Sequence, residues 1–210
     1  MSLDDPEQRS RRARAAILGR IRAAQGRAGS VESSEGLPLA EREAVATYLR
    51  ARPRGPASRI GGDLVEHFCR QAAVMQSTTD RVGEWIEVPG AVARYLSRQS
   101  LEARGCVWPS LPKLDWQSAG VHVEARAAVD ADLIGITSAF AGIAETGTLM
   151  TLSGPDTPGS ASLLPETHVA IVEARRVVAS MEDAWALLRS EHGRPPRVVN
   201  FISEIGRAHV

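Results

Sequence analysis

The densest chemistry in the sequence lies in four consecutive residues, Glu145, Thr146, Gly147 and Thr148. Glu145 can act as nucleophile or general base, because carboxylates form covalent acyl intermediates and exchange protons when partly buried. The backbone N–H groups of 146–148 can gather around an anion, as oriented amides at a turn do. Gly147 can take a positive φ or let a ligand come close to the backbone. The same four residues also suit a tight strand–turn–strand with its acid in water, and spacing alone does not choose between the two.

Other reactive side chains are scattered. His122 and Glu124 share one face of an alternating segment, Val121–Ala127, and could offer two metal ligands. A zinc or iron site needs at least one more, and no spacing supplies it, so a solvated strand face is expected. Cys69 and Cys106 are the only cysteines. They form no C-x-x-C motif and cannot hold an iron–sulfur cluster, which typically takes four thiolates. Lys113 is the only lysine among 25 Lys and Arg residues. Schiff-base chemistry therefore has one candidate, since arginine stays protonated. No G-x-G-x-x-G follows a strand, and there is no P-loop and no G-x-S-x-G.

The elements that must position the central stretch can be read from periodicity. Leu133–Ile136 suits a buried strand, and Leu149–Leu152 a second one ending at the turn Ser153-Gly154-Pro155. Further strands are expected at Val74–Val82, Val121–Ala127, His168–Val172 and Arg197–Ile202, with Val177–Val178 leading toward the last helix. Helical spacing marks Pro6–Arg27, Leu39–Ala51, Gly62–Val74, Pro89–Arg98 and a helix opened by Ser180 and closed near Gly193. Gly105–Trp116 reads as irregular, because Pro109 and Pro112 interrupt it. Its Trp108 and Trp116 are expected in a lid or the core. Strands alternating with helices indicate an α/β sheet with parallel members.

The totals fit this reading. The chain has 210 residues, 43% hydrophobic and 24% charged, with a formal net charge of zero. That is enough for one domain with a helical extension. Neutral charge and the absence of a reading motif argue against a nucleic-acid partner, despite an arginine-rich first helix that is expected to be solvated. No apolar run reaches the ~20 residues of a spanning helix. Met1–Arg20 lacks the apolar core of a signal peptide, so a cytoplasmic location is expected.

At Ile136–Leu149, ITSAFAGIAETGTL, the sequence resembles the LUD domain of the lactate-utilisation protein C family. The likeness continues through Ser153–Pro155, through SLLPETHVAIV at 162–172, and through NFIS at 200–203. It is good from about residue 130 and weak before. The resemblance implies a three-layer α/β fold, a sheet with flanking helices of the NagB/RpiA/CoA-transferase-like group. It implies a part in oxidising L-lactate to pyruvate beside iron–sulfur partner subunits, with no metal or cofactor on this chain. Thr137, Glu145, Thr146, Gly147 and Thr148 match the family motif, which makes Glu145 the candidate catalytic residue. Thr137, Thr146, Gly147 and Thr148 are the candidate anion or ligand site. The alternative within the group is an enzyme that binds acyl-CoA or a sugar phosphate and uses Glu145. Ser138 and Phe140 stand where many relatives carry glycine and a smaller residue, so a narrower pocket is expected.

The expected organisation is an N-terminal helix and linker at 1–37, a LUD domain at 38–203 and a tail at 204–210. The family pattern stops at Ser203, and EIGRAHV at 204–210 can be encoded by a common sequencing adapter read in frame. The tail is therefore expected to be non-native and the domain incomplete at its C-terminus.

Overall fold

The computed structural model describes residues 6–24, 38–55 and 60–203. The tail at 204–210 and most of the linker before Leu39 lie outside them. The chain divides into two units, Met1–Pro53 and Arg54–Val210. The first holds α1 (Pro6–Ala24) and α2 (Leu39–Ala51). Ile17, Leu18 and Ile21 on α1 and Val45, Tyr48 and Leu49 on α2 are exposed, and α2 buries no residue.

The second unit is a mixed α/β fold, as the sequence pattern predicts. Its strands form two separate four-stranded sheets. The first contains β1 (Arg104–Val107), β2 (His122–Ala125), β3 (Ile134–Ser138) and β6 (Thr167–Ile171), in the order β2-β1-β3-β6. All its pairings are parallel. The second contains β4 (Ala141–Ile143), β5 (Thr148–Leu152), β7 (Val177–Val178) and β8 (Val199–Ile202), in the order β7-β4-β5-β8. Here β4 pairs antiparallel with β5 and β5 with β8, while β4 and β7 run parallel.

Three helices of this unit cover the sheets. On α4 (Val88–Arg98), Val88, Val92 and Leu96 fall at helical spacing and share one core with Val107, Ile134 and Ile136. Trp108 and Trp116 join that core at 4% and 8% exposure, and the Trp108 indole donates to the Pro158 carbonyl at 2.9 Å. The second sheet is covered on both faces, because successive strand residues point to opposite sides. Ala141 and Ile143 of β4 meet Ala184 and Leu188 of α5 (Met181–His192). Gly142, between them, faces Phe68 of α3 (Leu64–Val74). Helix, sheet and helix thus stack in three layers.

Local chemistry sets the helix ends. The Asp63 carboxylate accepts from the Val65 N–H at 2.8 Å and caps α3. Ser180 and Asp183 form a reciprocal capping box at the start of α5. Gly193 closes α5 at a φ of 68°.

Two expectations need correction. Residues 75–82 form no strand, because the Gln76 backbone turns left-handed directly after α3 (φ 64°). Gly105–Trp116 begins with β1, whose Cys106 and Val107 are buried. Pro109 and Pro112 lie beyond its end and interrupt no ladder.

Candidate functional site

Glu145 to Gly147 lie in the loop that joins β4 to β5, the two interior strands of the second sheet. The loop is tied down at both ends. The Ala144 and Glu145 N–H groups donate to the Val178 and Ala179 carbonyls, continuing the pairing with β7. The Gly147 N–H donates to the Ile143 carbonyl at 2.9 Å. Of the three amides nominated for an anion, this one is engaged inside the turn.

Gly147 has a φ of 68°, as its neighbours' turn chemistry suggests. The group that approaches it is protein: a Cβ there would stand 2.4 Å from the Ala72 backbone nitrogen of α3. The glycine therefore serves both the turn and the docking of α3. Glu145 is half-buried, and its carboxylate has no hydrogen-bond or ion-pair partner among the described residues. The residues that follow it begin a row of hydroxyls. Thr146 Oγ1 lies 2.7 Å from Thr148 Oγ1, which lies 2.9 Å from Ser203 Oγ at the end of β8. Three linked hydroxyls in the turn and strand that directly follow a half-buried acid can hold a polar ligand. Sequence reasoning did not include Ser203, because its nearness depends on the β5–β8 register.

Thr137 sits on the other sheet. It is fully buried on β3, and its Oγ1 lies 2.8 Å from Nε2 of His168 on β6. Burial pushes the His168 imidazole down to about 4, so the ring is neutral near pH 7. Nothing brings Thr137 into hydrogen-bond contact with the β4–β5 loop.

Two other clusters resolve into structural roles. His122 and Glu124 lie on β2 as exposed residues, and Glu124 accepts from Arg126 at 2.7 Å. Arg126 also grips the buried Asp132 through two bonds of 2.6 and 2.9 Å. That pairing holds the Asp132 carboxyl below the usual carboxylate range. Burial and the nearby Asp132 carboxylate push the Cys106 thiol up to about 11, which leaves it protonated and unreactive. Cys69 is half-buried on α3. Among the described residues no group of three His, Cys, Asp or Glu could hold a metal ion.

A crevice of about 360 Å³ opens beside the ends of β1 and β3. Ser138 and Phe140 line it, together with Arg176, which the sequence did not mark. Phe140 forms one wall of this crevice.

Comparison with known proteins agrees with this architecture. A LUD domain model matches residues 42–208. "Lactate utilization protein C" from Bacillus subtilis is 32% identical over 101 residues, covering 46% of this chain and 42% of the relative. The protein of the same name from Bacillus licheniformis is 34% identical over 92 residues, or 42% of this chain and 38% of the relative. The matched segment thus spans about two fifths of the curated relatives' length. The crystal structure of a DUF162 family protein from Deinococcus radiodurans superposes with a TM-score of 0.55 at 22% identity. It covers 70% of this chain and 90% of that one, which is a likeness of fold. With most of its length inside the family model, the chain belongs to the LUD domain family.

Proposed function

We propose that this protein takes part in L-lactate utilisation, as a component of the system that oxidises L-lactate to pyruvate. Iron–sulfur subunits would carry the electrons, and the location would be cytoplasmic. The observation that carries this reading is the match to relatives named Lactate utilization protein C at 32–35% identity. The donor chemistry supports it. The whole sequence holds two cysteines, and one is a buried thiol held protonated at neutral pH. A cluster that typically needs four thiolates would sit on other polypeptides. No helix among the described residues is long and apolar enough to cross a membrane. The test is co-purification of the full chain with the iron–sulfur subunits, together with lactate growth of a deletion strain. Association and lost growth are expected; no association with normal lactate oxidation overturns the reading.

A second reading makes Glu145 the working group of a small-molecule enzyme related to the CoA-transferases. Its support is a half-buried carboxylate one residue before the linked Thr146–Thr148–Ser203 hydroxyls in the sequence. Glu145→Gln keeps the size and removes the charge. On this reading it abolishes lactate growth at unchanged expression and weakens binding of acyl-CoA or sugar phosphate. Normal growth and no binding by either form exclude it.

A further inference from the structure

The parallel sheet has one point where its winding reverses. From β1 the chain moves out to β2 at one edge. From β3, which lies on the other side of β1, it leaves for the second sheet and returns as β6 at the opposite edge. The segments that follow β1 and β3 therefore diverge. Diverging connections leave a crevice outside the carboxyl ends of two neighbouring strands, and open α/β sheets bind ligands there. The crevice of about 360 Å³ occupies this place. Ser110 and Pro112 follow β1, Ser138 and Phe140 lie at the end of β3, Arg176 comes after β6, and Trp85 precedes α4. Its size falls in the range of about 300–1,000 Å³ typical of small-molecule sites.

The lining has a definite chemistry. Arg176 is held on two sides: its Nη1 donates to both Glu191 oxygens, at 3.0 and 2.9 Å, and its Cζ lies 5.0 Å from the centre of the Phe140 ring. Its Nε and Nη2 groups have no partner among the described residues. The side chain is 28% exposed, so this cation is fixed, partly dehydrated and short of acceptors. Glu173, the crevice's own carboxylate, is engaged with Arg175 at 2.7 Å. One guanidinium with free N–H groups matches a monoanion, and its planar fork matches a carboxylate best. Phe140, Trp85 and Pro112 offer flat apolar walls to whatever carries that carboxylate. We propose that the crevice at the β1–β3 winding reversal binds a small organic monocarboxylate. The carboxylate sits on Arg176, and the apolar or aromatic body lies against Phe140 and Trp85. This site is separate from Glu145 and does not depend on either reading of the protein's role.

The test is calorimetric titration of the full chain with benzoate, and with acetate, inorganic phosphate and benzylamine alongside. Benzoate is expected to bind in the millimolar range or tighter, acetate several-fold more weakly for want of a body, and benzylamine and phosphate not at all. Arg176→Gln removes the charge and should raise the benzoate Kd about tenfold or more, the cost of a charge-assisted hydrogen bond. Ser110→Trp, at an exposed rim position, fills the crevice without touching the core and should abolish binding even if the arginine variant fails to fold. Absence of benzoate binding at millimolar concentration overturns the proposal. So does phosphate binding as well as benzoate, or benzoate affinity unchanged in Ser110→Trp.

Discussion

Gly147 shows how one residue can be constrained twice. Its left-handed φ disfavours any side chain, and the backbone of α3 fills the space where a Cβ would go. Gly147→Ala must strain the turn or push α3 off the sheet. Backbone strain of this kind costs about 1–3 kcal/mol, and the clash adds to it. Urea denaturation of the variant should therefore show a loss of about 2 kcal/mol or more. A midpoint equal to wild type would mean that the turn and α3 are not coupled through this residue. The sequence marked Gly147 as special, since a permissive glycine between two threonines at a strand junction signals a turn. It could not name α3 as the approaching group, because local patterning carries no information about tertiary partners. Trp108 and Trp116 were legible for the opposite reason: large aromatics bury wherever the chain allows, and both do.

At the scale of elements, strands flanked by clear turns were readable, and short ones were not. β4 is only three residues long, Ala141-Gly142-Ile143, too short for an alternation to show. It is a strand because Ala141 and Ile143 pack on α5 while Gly142 leaves room for Phe68. Two polar links between strands should appear in the dependence of stability on pH, in different windows. His168 joins β6 to β3 through Thr137, and its folded pKa of about 4 lies below the ordinary 6.5. The unfolded chain takes up this proton first as pH falls. Stability should therefore decline from pH 6.5 and level off below about 4, by about 3 kcal/mol in all. His168→Gln should flatten that slope in urea midpoints measured across the range. Asp132 ties the start of β3 to Arg126 beyond β2, and its folded pKa is depressed. Its contribution is complete above the unfolded carboxylate range and disappears as pH falls through the folded value. Asp132→Asn should lose about 2 kcal/mol at pH 7 and weaken the acid limb below about pH 4, leaving the His168 window intact. A single change that altered both windows equally would show that the two links are not independent.

On the scale of the molecule, the two units differ in what holds them. Every residue of the three hydrophobic cores lies between Ile60 and Phe201. α1 and α2 were legible from helical spacing alone, but spacing shows only that a face exists and says nothing of what covers it. In the structure the apolar residues Ile17, Ile21, Val45 and Leu49 are largely exposed. Helices of this length in water gain little stability from propensity and depend on tertiary packing. The first unit should accordingly add little to the stability of the second. A chain beginning at Arg54 keeps both sheets, α3 to α5 and the ion pair between Arg54 and Asp183 at the start of α5. Its unfolding free energy from urea denaturation should lie within about 0.5 kcal/mol of that of the full chain. A drop of several kcal/mol would show that the second unit depends on the first for its stability. An unchanged midpoint, together with loss of co-purification with the iron–sulfur subunits, would assign the exposed helical faces to those partners.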